Sequence, residues 1–533
     1  MNNVELVVRV LERAGARWVF GVPSGPVLPL IEALRHSDRV DFVLTASETS
    51  AGFMAEAAGR ITGVPGVCAS TVGPGATNLA TGVGGAFLDR SPVVAITCDY
   101  ATRLMGRRTQ MWIDHQALFA PIVKASIRVE EGDVAGAFSR AFRIAAGEPP
   151  GPVHLDFPED VGRAEAEEEA LVPPAPAGAP APPDDLAERV GRLLERARRP
   201  MVAVGLGFTR ARRPERLLRF IEAQHIPWTS TLHAKGFLPD THPANLGVMG
   251  RARRTDVQRM IDQADLLIAV GFDPVEIDYE EWAKSTPVVH LSQEPTQPGE
   301  RANLAYEAVG GIDAVIEALG AAPPASNEWA PAEWEAHRRR LAAALRPQSN
   351  GMAAHHVIDE LRGLLPRDAI IAYDVGAHTH QIATQWTCEL PHTALATNGW
   401  SSMGYGMPAA YAAKLARPDR TVVGVVGDGC FQMTAGELAT ARRLRLPVPV
   451  VVLNDGWLSL MKVKQERSEY GPSGAFLGEQ PEAPTHYFGA PARAARTQDE
   501  FRDALRWALS LDGPSVVEAY IDPEPYSSTV FDV

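Results

Sequence analysis

The sequence predicts an α/β protein made of three doubly wound domains, each built on a mainly parallel sheet. Short apolar runs typical of buried strands alternate with amphipathic helical patterns along the whole chain, as in consecutive strand–helix units. Two stretches rich in proline and alanine, residues 172–183 and 322–326, interrupt this alternation and cannot form packed elements. Because 533 residues are too many for one core, we expect domains at residues 1–171, 184–321 and 335–533.

The composition excludes several classes of function. A formal net charge of −14 and a pI near 5.5 argue against nucleic acid or an anionic membrane as a partner. The four cysteines show no paired short spacing, so neither a zinc site nor a disulfide framework is indicated. The chain opens with an amphipathic helix at Val4–Ala14 instead of a long apolar run. We therefore expect a cytoplasmic protein without a secretory signal or a membrane span.

The first domain has three buried strand patterns, and a helical stretch between the first two carries a carboxylate. The strands are predicted at Trp18–Phe20, Val67–Thr71 and Pro92–Thr97. The helical stretch Ala46–Arg60 has Glu48 near its start. A carboxylate in the first turn of a helix is often no more than a partner of the helix dipole, so Glu48 by itself assigns no function.

The middle domain has strand patterns at Met201–Val204 and Leu266–Val270, each followed by glycine. A Gly-x-Gly after a strand is a weak signal for dinucleotide binding, and the third glycine of that motif is missing here. We therefore interpret both as plain strand-to-helix turns.

The third domain carries the most informative pattern of the chain. One hydrophobic strand ends in Gly427-Asp428-Gly429-Cys430, and the next ends in Asn454-Asp455-Gly456. Neighbouring parallel strands bring their carboxyl ends to one edge of the sheet, where doubly wound domains bind ligands. A hard divalent cation such as Mg²⁺ prefers oxygen ligands. The Asp428 carboxylate, the Asn454 amide oxygen and the Gly456 carbonyl are therefore the predicted metal ligands.

Phosphate binding is predicted at the same edge of this sheet. Gly427 and Gly429 allow the backbone to approach phosphate oxygens closely, and a helix expected to begin near Gln432 directs its positive end toward them. The simpler alternative for Gly-Asp-Gly alone is a tight turn with a capping Asp428. The second polar cluster, at the neighbouring strand end, favours the ligand site.

Three stretches together resemble the thiamine diphosphate enzymes of the acetohydroxyacid (acetolactate) synthase, pyruvate oxidase and 2-oxo acid decarboxylase group. They are the Gly-Asp-Gly and Asn pair, the helix from Ala46 to Arg60, and the glycine-rich segment Asn398–Ala410. The resemblance extends over essentially the whole chain. It implies that the first domain binds the aminopyrimidine, that the last binds the diphosphate and Mg²⁺, and that the middle one is vestigial or holds FAD.

The resemblance also assigns roles to individual residues. It implies that Glu48, which we expect to be buried, activates the cofactor at its pyrimidine ring. It makes Met403 the wedge between the two cofactor rings, with the Ser401 carbonyl and the Met403 amide holding the pyrimidine. His378 and the residues Gly427, Asp428, Gly429 and Cys430 become cofactor contacts. The simpler alternatives are a gap-filling methionine and a helix-capping histidine.

Several positions bear on the step that follows decarboxylation. The segment Val270–Glu276 is similar to that of flavin-independent acetolactate synthases, so we expect no FAD and no oxidation. Leu460 stands where yeast-type pyruvate decarboxylases carry a glutamate, which favours carboligation. Met111 replaces the glutamine of acetolactate synthases, with Gln110 and His115 as alternatives for its function. His115, expected on a helix facing the cleft, is the candidate for proton handling, against a structural role.

We therefore expect an enzyme dependent on thiamine diphosphate and Mg²⁺ that decarboxylates a 2-oxo acid and transfers the acyl-anion equivalent to a carbonyl acceptor. One alternative is a non-oxidative decarboxylase similar to benzoylformate decarboxylase. Another, from a different class, is a non-catalytic regulatory or structural subunit, against which the complete set of predicted cofactor residues argues. Because the pyrimidine and diphosphate sites of the resembling family meet across a subunit interface, we expect a homodimer or homotetramer.

Overall fold

Three sheets organise the chain, one in each third of the sequence. The computed structural model describes residues 1–175, 178–297, 299–300, 303–478 and 484–530. Strands in these residues pair in parallel, apart from one antiparallel pair at the edge of the third sheet. The predicted α/β fold with three parallel-sheet domains is therefore confirmed. Residues 176–177 of the predicted first linker and residues 531–533 of the predicted third domain lie outside the described residues.

The first sheet lies in the amino-terminal third of the chain. Its strands are Trp18–Gly21 (β1), Asp41–Leu44 (β2), Gly66–Ser70 (β3), Val93–Asp99 (β4), Ala125–Arg128 (β5) and Pro152–Pro158 (β6). The helices are Asn3–Ala14 (α1), Leu28–Leu34 (α2), Glu48–Thr62 (α3), Pro74–Leu88 (α4), His115–Phe119 (α5), Val134–Ala146 (α6) and Glu159–Arg163 (α7). The strand order β2-β1-β3-β4-β6-β5 reverses direction within the sheet, as a doubly wound domain requires.

The middle sheet has six strands. They are Pro200–Val204 (β7), Trp228–Ser230 (β8), Asn245–Val248 (β9), Leu266–Val270 (β10), Val288–Ser292 (β11) and Leu304–Val309 (β12). Their order in the sheet is β12-β11-β10-β7-β8-β9. The helices are Leu186–Leu194 (α8), Glu215–Gln224 (α9), Arg254–Ile261 (α10), Tyr279–Trp282 (α11) and Ile312–Leu319 (α12).

The third sheet contains the two strands that end in the predicted metal ligands. Its strands are Ile370–Tyr373 (β13), Ala394–Leu395 (β14), Val422–Gly427 (β15), Pro449–Asn454 (β16), His486–Tyr487 (β17), Ala490–Ala495 (β18) and Ser515–Tyr520 (β19). The helices are Pro331–Ala344 (α13), Ala354–Leu364 (α14), Ala377–Gln385 (α15), Gly406–Ala416 (α16), Asp428–Thr434 (α17), Glu437–Arg443 (α18), Ser459–Arg467 (α19), Gln498–Leu509 (α20) and Tyr526–Thr529 (α21). The strand order is β14-β13-β15-β16-β19-β18-β17.

Helix α13 packs with the middle domain. Its buried Trp334 and Leu341, and Leu345 after it, belong to the apolar core of the middle sheet. The division drawn from the sequence assigns most of this helix to the third domain, and that division remains a prediction. No helix in the described part of the chain is both long and apolar enough to cross a membrane.

The first and third domains share one apolar core, which fixes the helix that carries Glu48. Helices α3 and α4 touch through glycines, since a Cβ atom on Gly52 would lie 2.8 Å from the Cα of Gly82. The Phe53 ring meets Tyr405 edge-on at a centroid distance of 5.7 Å. Tyr405, immediately before α16, also donates a 2.6 Å hydrogen bond to the buried Glu56 of α3. Helix α3 is therefore held rigidly against the third domain.

Candidate active site

The edge of the third sheet brings Asp428 and Asn454 together. Strands β15 and β16 are parallel neighbours, with Gly427 opposite Leu453 in the register. The Asp428 carboxylate accepts 2.8 Å hydrogen bonds from the backbone N–H groups of Gly429 and Gly456. Burial raises the pKa of Asp428 to about 6. A buried carboxylate of this kind favours a cation beside it.

Helix α17 begins at Asp428, four residues before the position near Gln432 that the sequence indicated. The extended Gly427 serves as the residue before the first turn, a position that glycine tolerates well. Gly429 and Cys430 therefore lie in the first helical turn, where the backbone N–H groups are not used inside the helix. The Cys430 thiol donates to the Val375 carbonyl at 3.1 Å and so ties this turn to the end of β13.

Asn454 is oriented by Glu518, a residue that the sequence did not indicate. The Asn454 Nδ2 group donates to Glu518 Oε1 at 2.5 Å, and Tyr487 donates to the other carboxylate oxygen at 2.9 Å. Because the amide nitrogen is held on that side, its oxygen is directed the opposite way. Gly456 adopts the left-handed region at φ +75°, and its carbonyl accepts from the Leu477 N–H at 2.8 Å. These oxygens fit the ligand preference of Mg²⁺.

His378 lies next to this edge of the sheet, against Gly376 and Gly427. Its side chain is buried, and its Nε2 atom has no hydrogen-bond partner among the described residues. Cβ atoms on Gly376 and Gly427 would lie 2.9 and 3.0 Å from its ring. Burial lowers the pKa of His378 to about 4, so the ring is neutral at pH 7. In the tautomer that carries the proton on Nε2, this neutral ring donates to a phosphate oxygen, and the flanking glycines let that oxygen come close to the backbone.

Asp374 holds the loop that carries Ser401 and Met403, and the sequence did not single it out. It is fully buried, and its carboxylate accepts hydrogen bonds of 2.9 Å from the N–H groups of both Gly404 and Gly406. Ser401 adopts a left-handed conformation at φ +51°, an uncommon one for serine that persists only where surroundings impose it. The position of Asp374 at a strand end was the signal that could have revealed it.

A cavity of about 260 Å³ opens at this edge. It is lined by Val375–His378, Ser401, Met403, Gly427–Cys430, Leu453, Asp455, Trp457–Met461 and Tyr526. All of these residues belong to the third domain, and Glu48 is not among them. The structure therefore brings the predicted diphosphate and wedge residues together with the predicted metal ligand Asp428, which contacts Gly456, and leaves the predicted activating carboxylate elsewhere.

Glu48 lies in the first turn of α3. Ser47 caps the helix, and the buried Glu437 carboxylate accepts hydrogen bonds from the backbone N–H groups of Ala46 and Ser47 at 2.9 and 3.2 Å. Asn78 donates to Glu48 Oε2 at 3.1 Å. Glu48 is half-buried, instead of buried as expected, because the start of α3 lies at the surface of the single chain.

His115 does not face an open cleft, as the sequence led us to expect, but is fully buried. Its Nε2 atom accepts from the Gly73 N–H at 3.2 Å, so the neutral ring carries its proton on Nδ1. That atom lies 3.4 Å from Asp156 and 3.7 Å from Asp99. Two buried carboxylates therefore flank the ring, and the ring accepts from the turn at Gly73, which packs against the carbonyl of Met111.

The outer wall of the cavity is apolar. Trp457 packs on Phe476 at a centroid distance of 4.6 Å, and Leu458 and Leu460 continue the wall into α19. Lys462 of the same helix is paired with Glu524 at 2.8 Å and so is turned to other partners.

Comparison with known proteins shows which family the chain is similar to. Family models described as the N-terminal, central and C-terminal domains of thiamine pyrophosphate enzymes match residues 1–118, 187–319 and 374–519. The probable acetolactate synthase large subunit of Methanocaldococcus jannaschii is 31% identical, over 98% of this chain and 92% of the relative. Acetolactate synthase isozyme 1 large subunit of Escherichia coli is 31% identical over 98% and 94%. The acetolactate synthase of Mycobacterium bovis is 34% identical over 87% and 77%.

The fold and site thus define a thiamine diphosphate-dependent enzyme. Within that class, the chain belongs to the acetolactate synthase family, and its function is an acetolactate synthase-like carboligation.

Proposed function

We propose that this enzyme holds thiamine diphosphate through Mg²⁺ at the edge of the third sheet, decarboxylates a 2-oxo acid and joins the remaining fragment to a carbonyl acceptor. The convergence of Asp428 and the oriented Asn454 carries this proposal, beside a buried His378 nitrogen that has no hydrogen-bond partner in the described part of the chain. Thiamine diphosphate supplies carbanion stabilisation that the protein side chains lack. The absence of FAD from the middle domain remains a prediction.

The residues take the following roles in the proposal. Asp428, Asn454 and the Gly456 carbonyl hold Mg²⁺. His378 and the first turn of α17, including Gly429 and Cys430, hold the diphosphate. The Ser401 carbonyl and Met403 orient the pyrimidine, and Glu48 exchanges a proton with the pyrimidine ring.

The site of a single chain lacks its activating carboxylate, so we propose that two copies assemble and that Glu48 of one faces the cavity of the other. A two-fold arrangement builds two equivalent sites in this way. In analytical ultracentrifugation we expect a homodimer or a homotetramer at the concentrations used for assays. A monomer that is fully active at the same concentration would rule out this arrangement.

The second prediction concerns which product forms from the fragment left after decarboxylation. No carboxylate stands at Leu460 to supply a proton, and Trp457 and Leu458 give the cavity an apolar lining that disfavours water. Adding an aldehyde or a second 2-oxo acid should therefore divert the product from free aldehyde to a 2-hydroxy ketone or a 2-hydroxy-2-alkyl-3-oxo acid. Chromatography of the products measures this partition. Leu460→Glu should shift it toward aldehyde, and Leu460→Met serves as the matched apolar control.

Aldehyde as the only product at every acceptor concentration would favour the decarboxylase alternative. Met111 offers no strong hydrogen bond to a small polar acceptor, so we expect pyruvate self-condensation to be disfavoured relative to larger apolar partners. Acetolactate as the sole efficient product would show that Met111 does not set this preference.

A further inference from the structure

A buried cluster of charged side chains lies where the three domains meet. Asp89 ends α4 of the first domain, His233 follows β8 of the middle domain, and Glu276 follows β10. All three side chains are only 1% exposed. His233 Nδ1 lies 2.9 Å from Glu276 Oε1, and His233 Nε2 lies 3.6 Å from Asp89 Oδ1. The imidazole thus joins a carboxylate of the first domain to one of the middle domain.

The same cluster holds residues 397–403, which we call the cofactor loop because it carries Ser401 and Met403. Asp89 accepts hydrogen bonds from the Thr397 hydroxyl at 2.6 Å and from the Gly399 N–H at 2.7 Å. The Asn398 side chain donates to the Glu276 carbonyl at 3.4 Å and accepts from Arg251. The start of the cofactor loop is therefore anchored by the first and middle domains together.

The charge on His233 completes this anchor. Burial alone lowers its pKa, but Asp89 and Glu276 raise the pKa of His233 to about 9, so it is charged at neutral pH. Burial raises the pKa of Asp89 and His233 lowers it, with a net lowering. Arg60 and Arg251 also face these carboxylates. Removing the imidazolium leaves two buried carboxylates with less positive charge, a state that is relieved by protonation or by movement of the groups around them.

We propose that His233 is a positioning residue for the cofactor loop, through which the middle domain sets the affinity and alignment of the cofactor. The proposal rests on the proposed function, because the role of the loop in holding the cofactor is part of that function. His233 touches neither the cavity nor any predicted metal ligand, and it acts through Asp89.

The first experiment measures amide hydrogen exchange of residues 397–403 in the cofactor-free chain. His233→Gln should increase exchange in this segment by about tenfold, because the N–H groups of Asn398 and Gly399 lose a fixed acceptor. The matched control is Lys235→Met. Lys235 lies two residues after His233 and forms a buried ion pair with Asp240 that does not touch the loop. Unchanged exchange in the folded His233→Gln chain would overturn the proposal.

The second experiment measures the dissociation constant of thiamine diphosphate with Mg²⁺ across pH. We expect His233→Gln to raise it by about tenfold and the charge-retaining His233→Lys to recover most of the loss. Lys235→Met should leave the dissociation constant near the wild-type value.

The pH dependence of cofactor affinity can be measured on the wild-type chain. It therefore tests the proposal even if His233→Gln fails to fold. A folded-state pKa raised to about 9 means that the charge is present below that pH and lost above it. Cofactor affinity of the wild-type chain should therefore be constant from neutral pH to about pH 8 and fall through pH 9. His233→Lys should move this fall to higher pH. A flat profile to pH 10 in the wild type would overturn the proposal.

The two readouts separate this proposal from the proposed function. Faster loop exchange with unchanged cofactor affinity would confirm the anchor and show that the loop is not a cofactor loop, which contradicts the proposed function. Weaker cofactor binding without faster loop exchange would contradict the anchor alone.

Discussion

Asp428→Ala should abolish thiamine diphosphate binding while the fold is retained. The substitution removes the only charged ligand of the proposed Mg²⁺ site. It also relieves the burial of a carboxylate whose pKa is raised to about 6, so we expect no loss of fold stability from the lost charge itself. Calorimetric titration of the cofactor-free chain in the presence of Mg²⁺ measures the affinity, and circular dichroism checks the fold.

The control for Asp428→Ala is Asp455→Asn, because Asp455 is a second carboxylate at the same sheet edge, half-buried where Asp428 is buried. Its side chain accepts hydrogen bonds from the Ser459 hydroxyl and the Trp457 N–H at 2.7 and 2.9 Å, and so holds the start of α19. We expect it to retain cofactor binding. Wild-type affinity in Asp428→Ala, or equal losses in both variants, would contradict the assigned metal site.

Glu48→Gln should leave the cofactor bound and lower turnover by about 10²-fold or more. Glutamine keeps the size of the side chain and its hydrogen bond with Asn78, seen at 3.1 Å in the wild type, but it cannot exchange a proton with the pyrimidine. The rate of proton exchange at C2 of the bound cofactor, followed by NMR, measures activation separately from binding.

Glu5→Gln is the matched control for Glu48→Gln, since Glu5 lies in the first turn of α1 and also complements a helix dipole. Its loss should affect stability slightly and leave C2 exchange unchanged. If Glu48→Gln exchanges this proton at the wild-type rate, Glu48 is not the activator, and its role is that of a helix-terminal carboxylate.

Local sequence patterns predict much of this fold and part of the site. The apolar runs before Gly427 and Asn454 are strands because parallel sheets bury them on both faces, and their shared edge follows from topology alone. The start of α17 was misplaced because Gly-Asp-Gly is read equally well as a turn.

Contacts between distant residues account for what the sequence could not show. Glu518 orients Asn454 across 64 residues, and Asp89 anchors Gly399 across 310. No local pattern identifies such a partner, because every carboxylate in an apolar stretch of sequence shows the same pattern. The burial of His115 has the same origin: Asp99 and Asp156 reach it from β4 and β6. A helical pattern cannot distinguish a face toward a cleft from a face toward such a pair.

In the proposed assembly each active site combines Glu48 of one subunit with Asp428 of another, and mixing two inactive variants shows whether it does. Glu48→Gln and Asp428→Ala chains are unfolded together in equal amounts, refolded and assayed for carbon dioxide release and carboligation. In a shared site, each mixed dimer contains one doubly altered site and one wild-type site. Random pairing then restores about a quarter of the wild-type activity. Activity no higher than that of the separate variants, with mixed dimers shown to form, would place Glu48 and Asp428 of one site in the same chain and contradict a site shared between subunits.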